Sequence, residues 1–298
     1  MSDSSEPAAN LRYIDLHSHT TASDGTLAPG ELVALAKKND LEAIAITDHD
    51  TFAGYDEAIK SAAAFNLDVV CGIELNSRLS LGEDHRAVHL LGYWPLDPPS
   101  RDFREWLNSE REDRRNRNRR LAEALQSRNV DVTLDEVEAR GRNLAGRAHF
   151  ARILVEKGYA QNHDDAFRRY LGESAPTYVE RQSRTTEEII AKLREADGIP
   201  VTAHPIRLSV ARDREREVLV RLKQAGLLGL EIYHSEHPPE AQAHYRQLAE
   251  ELGLLPTGGS DFHGAPKPNI DLGTGLKGNI RVPFEFLERM RQYVRALQ

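Results

Sequence analysis

Twelve histidines are spread along the chain, and their placement says more than their number. His17 and His19 close the first aliphatic segment as His17-Ser18-His19; residues two apart on a strand point to the same side, so both imidazoles can reach one cation. Asp24 follows in the loop Thr20-Thr21-Ala22-Ser23-Asp24-Gly25, and Asp48-His49-Asp50 closes the second segment. The third segment ends in Gly72-Ile73-Glu74, the fourth carries His89, the fifth ends in Ala203-His204-Pro205, and the last ends in Ser260-Asp261-Phe262-His263. Imidazole nitrogen and carboxylate oxygen are ligands for manganese, iron or zinc, and clustered divalent ions bring the pKa of water into the neutral range. The chemistry to expect is metal-assisted hydrolysis. A purely structural reading would set five imidazole-bearing strand ends beside Glu and Asp with no counter-ion, at a large cost in desolvation and repulsion. His85, His163 and His244 fall outside the pattern and read as ordinary core or surface imidazoles, as do His234 and His237, although these two are set apart by following the Glu231-Ile232-Tyr233 strand. Asp15, two residues before His17, shares its side of the strand by alternation and is read as structural support.

The elements that must position these residues are short aliphatic segments at Tyr13–Leu16, Ala43–Thr47, Val69–Ile73, Ala87–Tyr93, Ile199–Ala203, Gly229–Tyr233 and Leu254–Thr257. Between several of them lie amphipathic stretches with helix-start signals, such as Pro29–Asn39 and Thr186–Ala196. This rhythm predicts an α/β fold on a parallel sheet, either closed into a barrel or open. The clusters fall at the C-terminal ends of their strands, which in a parallel barrel converge on one face. From Asp97-Pro98-Pro99-Ser100 onward the rhythm breaks into polar, Arg-rich helical sequence. The organisation expected is a disordered tail over 1–10, a barrel over 11–98 and 180–298, and an inserted small helical subdomain over 99–179 that caps the substrate. Within the insertion, Arg111, Arg114, Arg115, Arg117, Arg119 and Arg120 crowd one short stretch, a concentration that suits an anionic ligand.

Composition bounds the rest. At 298 residues, 40% hydrophobic and 29% charged, the chain can build a sizeable core, which excludes collagen-like and wholly disordered classes. A formal charge of -8 argues against coating nucleic acid through bulk positive charge. Cys71 is the only cysteine, so no intrachain disulfide and no thiolate zinc cluster can form, in keeping with a reducing cytoplasm. The opening MSDSSEPAANLR lacks a basic segment followed by an apolar one, and no stretch approaches the ~18 apolar residues of a membrane span. A soluble, cytoplasmic protein with no membrane role and no obligatory protein partner is the expectation.

The segments Asp-Leu-His-Ser-His-Thr at 15–20, Ser-Asp-Gly at 23–25, Ile-Thr-Asp-His-Asp at 46–50, Gly-Ile-Glu at 72–74, Ala-His-Pro at 203–205 and Gly-Ser-Asp-Phe-His at 259–263 resemble the PHP (polymerase and histidinol phosphatase) family of metal-dependent phosphoesterases. The resemblance implies a distorted (β/α)7 TIM-like barrel. It is narrower toward the branch holding nucleoside-3′,5′-bisphosphate phosphatases and a 5′-to-3′ RNA-trimming exonuclease, through Arg114-Arg115-Asn116 and the run Gly146 to Arg152. Carried over residue by residue, it implies a first ion held by His17, His19, Glu74 and Asp261, with Glu74 bridging to a second ion on His89 and His204. A third position would use Asp24, His49 and His263. Two or three divalent ions are implied, Mn2+ first, with Zn2+ or Fe2+ as alternatives.

The expected reaction is attack of a metal-activated hydroxide on phosphorus, with arginines stabilising the charge on the equatorial oxygens. Asp48 enters as a catalytic-site residue, orienting His49 or protonating the departing oxygen. A second phosphate on the substrate needs an anion site away from the ions, for which Arg147 and His149 lead, followed by Arg114, Arg115 and Arg207. The expected activity removes the 3′-phosphate of nucleoside 3′,5′-bisphosphates, a small nucleotide substrate. The alternative is a 5′-3′ exonuclease on short 5′-phosphorylated RNA or DNA. Histidinol-phosphate phosphatase and a non-catalytic metal-binding regulatory module rank lower, the last because all nine proposed ligand positions carry usable donors.

Overall fold

The structure, a computed structural model, describes residues 12–82, 84–141, 145–172, 174–179 and 184–298. The expected tail over 1–10 and the expected return to the barrel at 180 lie outside the described residues. The chain begins as β1 (Tyr13–Asp15), α1 (Pro29–Lys38), β2 (Leu41–Ile46), α2 (Ala53–Phe65), β3 (Asp68–Leu81) and β4 (Asp84–Trp94). A helical stretch follows, α3 (Arg101–Gln126), α4 (Leu134–Gly141), α5 (Arg147–Glu156), α6 (His163–Ala166) and a π-helical turn at Phe167–Leu171. Alternation resumes with α7 (Thr186–Glu195), β5 (Ile199–Thr202), α8 (Arg212–Gln224), β6 (Gly229–His234), α9 (Pro239–Leu252) and β7 (Leu255–Gly259). The chain ends with the short strands β8 (Ile270–Asp271), β9 (Gly275–Leu276) and β10 (Val282–Pro283) and with α10 (Glu285–Arg295).

Local chemistry accounts for these boundaries. Every residue of β2 except Glu42 is buried, as a strand covered on both faces requires. Helix α1 starts with Pro29 in its first turn, Glu31 accepts the Ala28 N–H at 2.8 Å, and Lys37 and Lys38 sit in its last turn, where cations complement the dipole. Helix α7 opens with a reciprocal cap between Thr185 and Glu188. Helix α9 stops at Gly253, whose φ of +59° suits glycine.

Eight strands of the described residues form one sheet in the order β10-β1-β2-β3-β4-β5-β6-β7. The pairs β1–β2, β2–β3, β5–β6 and β6–β7 are parallel. The sheet curls until β7 meets β1: Leu16 N–H donates to Gly258 O at 3.1 Å, Asp261 N–H to His17 O at 2.8 Å, and His19 N–H to Phe262 O at 2.9 Å. Below these bonds β10 pairs antiparallel with β1. A nearly closed, TIM-like α/β barrel results.

One departure from the sequence expectation matters for the site. The strand rhythm implied uniformly parallel neighbours, yet β4 runs antiparallel to both β3 and β5. Strand β3 does not end at Glu74 but continues to Leu81, and the chain turns straight back at Gly82, φ +79°, with no crossover helix. His89 therefore reaches the C-terminal face of the barrel from the middle of a reversed strand, opposite Asn76, rather than from a strand end.

The barrel interior is filled by Ile14, Leu16, Ala43, Ala45, Val70, Leu91, Tyr93, Val201 and their neighbours. A separate cluster, from Leu121 to Leu171 and including Val137, Phe150 and Leu154, gives the helical stretch its own core. Helix α3 spans the two: Phe103 and Leu107 pack on the barrel's outer core, while Leu121 and Leu125 belong to the helical cluster. No helix among the described residues is long and apolar enough to cross a membrane.

Candidate metal centre

The C-terminal ends of β1, β2, β5 and β7, with the middles of β3 and β4, deliver one crowded set of donors. His17, His19 and Glu74 are all but fully buried, and Asp261 is 3% exposed. His17 Nε2 lies 3.3 Å from Glu74 Oε2 and 3.5 Å from Asp261 Oδ1, and His19 Nε2 lies 3.1 and 3.4 Å from the same two oxygens. A divalent ion with bonds of about 2.1 Å separates neighbouring ligand atoms by about 3.0 Å in an octahedron and about 3.4 Å in a tetrahedron. The four atoms therefore have the spacing of a coordination shell. Both nitrogens of the His19 ring are buried without a hydrogen-bonded partner, which a cation would remedy.

Glu74 faces two ways. Its Oε2 serves His17, His19 and, at 3.2 Å, His49 Nε2, while its Oε1 meets His89 Nδ1 at 2.7 Å and His204 Nε2 at 3.0 Å. That is the arrangement of a bridging carboxylate. A third group gathers around Asp24: His263 Nε2 at 3.3 Å, His19 Nδ1 at 3.6 Å and His49 Nε2 at 3.9 Å. The Asp24 carboxylate is 40% exposed, so this position opens toward solvent. His49 is within reach of both the Glu74–His89 pair and the Asp24 group.

Tautomers are set by second bonds. His263 Nδ1 donates to Asp261 O at 2.8 Å, which leaves Nε2 facing Asp24. His17 Nδ1 donates to Glu231 Oε1 at 2.8 Å, which leaves Nε2 facing Glu74 and Asp261. Burial opposes protonation of His17, but Glu231, Glu74 and Asp261 outweigh it and raise its pKa well above the usual imidazole value. His19 follows the same balance, burial against Asp261 and Glu74, and is raised to about 9. Burial wins at His49 and His204, which are lowered to about 4. Glu74 and Asp261 stay well below the carboxylate range because the surrounding imidazoles overcome their burial.

Three residues at this face escaped the sequence reading. Glu231 is fully buried in β6 and accepts from His17 Nδ1 and, at 2.6 Å, from the His204 backbone N–H, tying two ligands together. His234, set aside above as an ordinary imidazole, places Nε2 3.2 Å from Asp261 Oδ2 while its Nδ1 accepts the Glu236 N–H at 3.1 Å. Lys267 Nζ lies 2.6 Å from the same Asp261 oxygen. On a regular strand Glu231 and His234, three residues apart, point to opposite faces; a register shift between Glu231 and Tyr233 lets both reach the centre.

The Asp48 carboxylate is engaged by the Asp24 loop. It accepts Thr20 N at 2.8 Å, Thr20 Oγ1 at 2.6 Å and Ser23 Oγ at 2.5 Å, so it pins the loop that carries Asp24 rather than His49. Asp15, fully buried, accepts the backbone N–H groups of His17, Ser260 and Gly273 and supports the β1–β7 closure.

The arginines divide. Arg114 on α3 pairs with Asp50 at 2.6 Å, at the wall of a cleft of about 400 Å³ that also carries Asn76, Arg117, Arg120 and Arg184. Arg115 points elsewhere, its guanidinium held by Glu138 at 2.7 Å on the exposed side of the helical stretch. Arg207 is engaged by Glu236 at 2.6 Å and reaches Asp261 Oδ2 at 3.4 Å, at the edge of the ligand cluster. Arg147, in the first turn of α5, sits 5.9 Å from the Phe167 ring and 6.0 Å from that of Tyr178. His149 is half-buried with Nδ1 unpartnered, and burial, then Arg152, lower its pKa.

A PHP domain model matches residues 15–183. The chain is 31% identical over 262 residues to a 5′-3′ exoribonuclease of Haemophilus influenzae, covering 88% of this chain and 93% of that protein. It is 30% identical over 265 residues to a 3′,5′-nucleoside bisphosphate phosphatase of Chromobacterium violaceum, covering 88% and 91%. Among solved structures, a Bifidobacterium adolescentis protein classed as a metal-dependent phosphoesterase superposes with a TM-score of 0.69 at 34% identity, over 97% of this chain and 98% of that one.

Proposed function

The chain belongs to the PHP domain family and is a phosphoric ester hydrolase, and from that premise we propose that it removes the 3′-phosphate of nucleoside 3′,5′-bisphosphates, giving the 5′-monophosphate and inorganic phosphate. The observation that carries this reading is the placing of a buried His/Glu/Asp cluster beside an arginine-lined cleft under the helical stretch. Divalent ions, manganese by preference, would be held by His17, His19, Glu74 and Asp261, by Glu74, His89 and His204, and by Asp24, His49 and His263; when bound they supply a nucleophile at neutral pH and polarise the phosphoryl oxygens.

The protein's own residues do the rest. Glu231 and His263's backbone partner keep Nε2 of His17 and His263 turned inward. Arg147 and His149 take the 5′-phosphate, while Arg114 holds α3 against Asp50. Arg207, beside Asp261, faces the charge that develops on the scissile phosphate. A second reading has a specific support, the similarity to an exoribonuclease at the same coverage as to the phosphatase: the same 3′-ester bond is cleaved in a 5′-phosphorylated oligonucleotide.

The test compares manganese-supplemented phosphate release from adenosine 3′,5′-bisphosphate with nucleotide release from a short 5′-phosphorylated RNA, using His17→Ala as the control. Release from the bisphosphate that vanishes in the variant supports the proposal. Efficient stepwise loss of nucleotides from the RNA with little action on the bisphosphate moves the primary activity to the exonuclease, and no His17-dependent activity on either overturns both readings.

A further inference from the structure

The two carboxylates at the heart of the cluster are used differently. Glu74 turns both oxygens toward imidazoles of the candidate ion positions, Oε2 toward His17, His19 and His49 and Oε1 toward His89 and His204. Asp261 is divided. Its Oδ1 faces inward, 3.5 Å from His17 Nε2, 3.4 Å from His19 Nε2 and 3.4 Å from His263 Nδ1. Its Oδ2 is met instead by Lys267 Nζ at 2.6 Å, His234 Nε2 at 3.2 Å and Arg207 Nη2 at 3.4 Å.

These three groups give hydrogen to Oδ2 rather than ligate a cation. Lysine and arginine side chains are donors only. His234 Nδ1 accepts the Glu236 N–H at 3.1 Å, so the ring proton sits on Nε2 and goes to Asp261. His17, Glu231 and His234 bring donor atoms within 4.8 Å of one another. Yet His17 Nδ1 donates to Glu231 and His234 Nε2 to Asp261, which makes that trio a hydrogen-bonded brace instead of another ion position. Lys267 makes the shortest contact with Oδ2, and its backbone is fixed: its N–H donates to Gly264 O and its carbonyl accepts the Ile270 N–H, both at 3.0 Å. Next to it in the same turn, Ala265 N–H donates to Thr26 Oγ1 at 3.0 Å. Arg207 is drawn away by Glu236, with contacts of 2.8 and 2.6 Å.

A carboxylate can hold a divalent ion through one oxygen or through both. Two-oxygen ligation fills a position that a hydrolytic ion must keep open. We propose that Lys267 is a positioning residue: by engaging Oδ2 it confines Asp261 to ligation through Oδ1 and so leaves one coordination position of the first ion open to solvent. The inference rests on the divalent centre proposed above. The ammonium also opposes a dication held by the same carboxylate, so Lys267 weakens metal binding while it keeps the position open. This fixes a sign. Loss of Lys267 should tighten metal binding and slow hydrolysis, whereas loss of a residue that merely supports a ligand loosens binding and slows hydrolysis together.

The Lys267 side chain is 31% exposed, so Lys267→Met and Lys267→Arg leave the core untouched. Both are compared with wild type in three measurements. Manganese affinity is read against a competing chelator, and water on the ions is read from the enhancement of water-proton relaxation per bound manganese. The third is kcat on adenosine 3′,5′-bisphosphate. For Lys267→Met the expected result is manganese binding tighter by threefold or more, a smaller relaxation enhancement and a kcat lower by tenfold or more. Lys267→Arg keeps a cation on the oxygen and should follow wild type in both metal measurements. Manganese bound no more tightly by Lys267→Met, an unchanged relaxation enhancement, or an unchanged kcat on a substrate that wild type cleaves overturns the proposal. Wild-type protein that binds manganese but leaves the bisphosphate intact overturns the proposed substrate, and the two metal measurements still decide the role of Lys267; wild-type protein that binds no manganese overturns both.

Discussion

Removing the Glu231 carboxylate should cost both metal affinity and stability, by amounts the geometry allows to be separated. Glu231 is buried, and its two oxygens accept from His17 Nδ1 at 2.8 Å and from the His204 backbone N–H at 2.6 Å. Glu231→Ala leaves both donors in a dry site; at about 1–3 kcal/mol for each unsatisfied buried group, about 2–6 kcal/mol of stability is lost. Independently, His17 loses the bond that fixes its tautomer and ring angle. Removing such an outer carboxylate lowers metal affinity by about 10- to 100-fold, which is about 1.4–2.7 kcal/mol. Glu231→Gln separates the two effects, since its carbonyl oxygen can accept from only one donor while its NH2 opposes the other; it should lose about half the stability and still bind metal more weakly. Urea unfolding in chelator reads the stability, and manganese titration against a competing chelator reads the affinity. A folded Glu231→Ala protein that binds manganese within twofold of wild type would refute the claim that Glu231 orients His17.

Three further perturbations test other parts of the structure. Gly259→Ala would drive a methyl group into the His17 backbone and Cβ; it should part β7 from β1, lower the Tm by several degrees and weaken manganese binding, whereas an unchanged Tm would show that the seam can relax. The Arg114–Asp50 pair, with side chains 13% and 6% exposed, joins α3 to the barrel. A double-mutant cycle with Arg114→Ala and Asp50→Ala should return a coupling of about 1 kcal/mol or more in urea unfolding, and additivity would mean that the pair ties nothing together. In the metal-free protein, His19, raised to about 9 from an unfolded value of 6.5, contributes stability that is complete below pH 6.5 and lost as pH rises through 9. His49 and His204, lowered to about 4, contribute stability that is present above pH 6.5 and lost as pH falls toward 4. The metal-free Tm should therefore peak near pH 6.5, and manganese, by displacing the His19 proton, should flatten the alkaline fall; a metal-free Tm unchanged between pH 6.5 and 9 contradicts this balance.

The strand–helix alternation was legible in the sequence, closure into a barrel followed only from the family resemblance, and the candidate donors could be named because ligands must be particular side chains and parallel strands present their ends together. His17-Ser18-His19 and Ser260-Asp261-Phe262-His263 could be read directly from residue type and spacing. Other features depend on geometry that residue types do not encode. The reversal of β4 turns on one short hairpin at Gly82, and the polar run from Asp84 to His85 gave no sign that a strand had already resumed. Glu231 and His234 were missed because strict alternation assigns them to opposite faces, and the register shift that unites them leaves no mark in Gly-Leu-Glu-Ile-Tyr-His. A signal for Glu231 did exist: a lone carboxylate inside a buried aliphatic strand must have a partner. Arg115 and Arg114 are adjacent, yet neighbouring residues on a helix diverge by about 100°, so the clustered arginines could not all face one anion.

The backbone explains why a centre with so many buried donors keeps its shape. Asp50, His204 and Asp261, each at or just beyond a strand end, have φ of +54°, +27° and +57°, in the region that disfavours side chains. Such positions cost about 1–3 kcal/mol each and persist only when their surroundings hold them. At His204 the hold is Glu231 on the backbone N–H, and at Asp261 it is the His17 carbonyl on the N–H with His234 and Lys267 on the side chain. At Asp50 it is the Glu74 carbonyl on the N–H, with Arg114 on the carboxylate. The left-handed turn at Asp261 aims its carboxylate back over the barrel mouth instead of along the strand, which brings it within 3.5 Å of a histidine on β1's end. Strain, outer carboxylate and donor cluster are thus parts of one construction, and the bonds that hold the strained residues are the same bonds that set the direction of each donor.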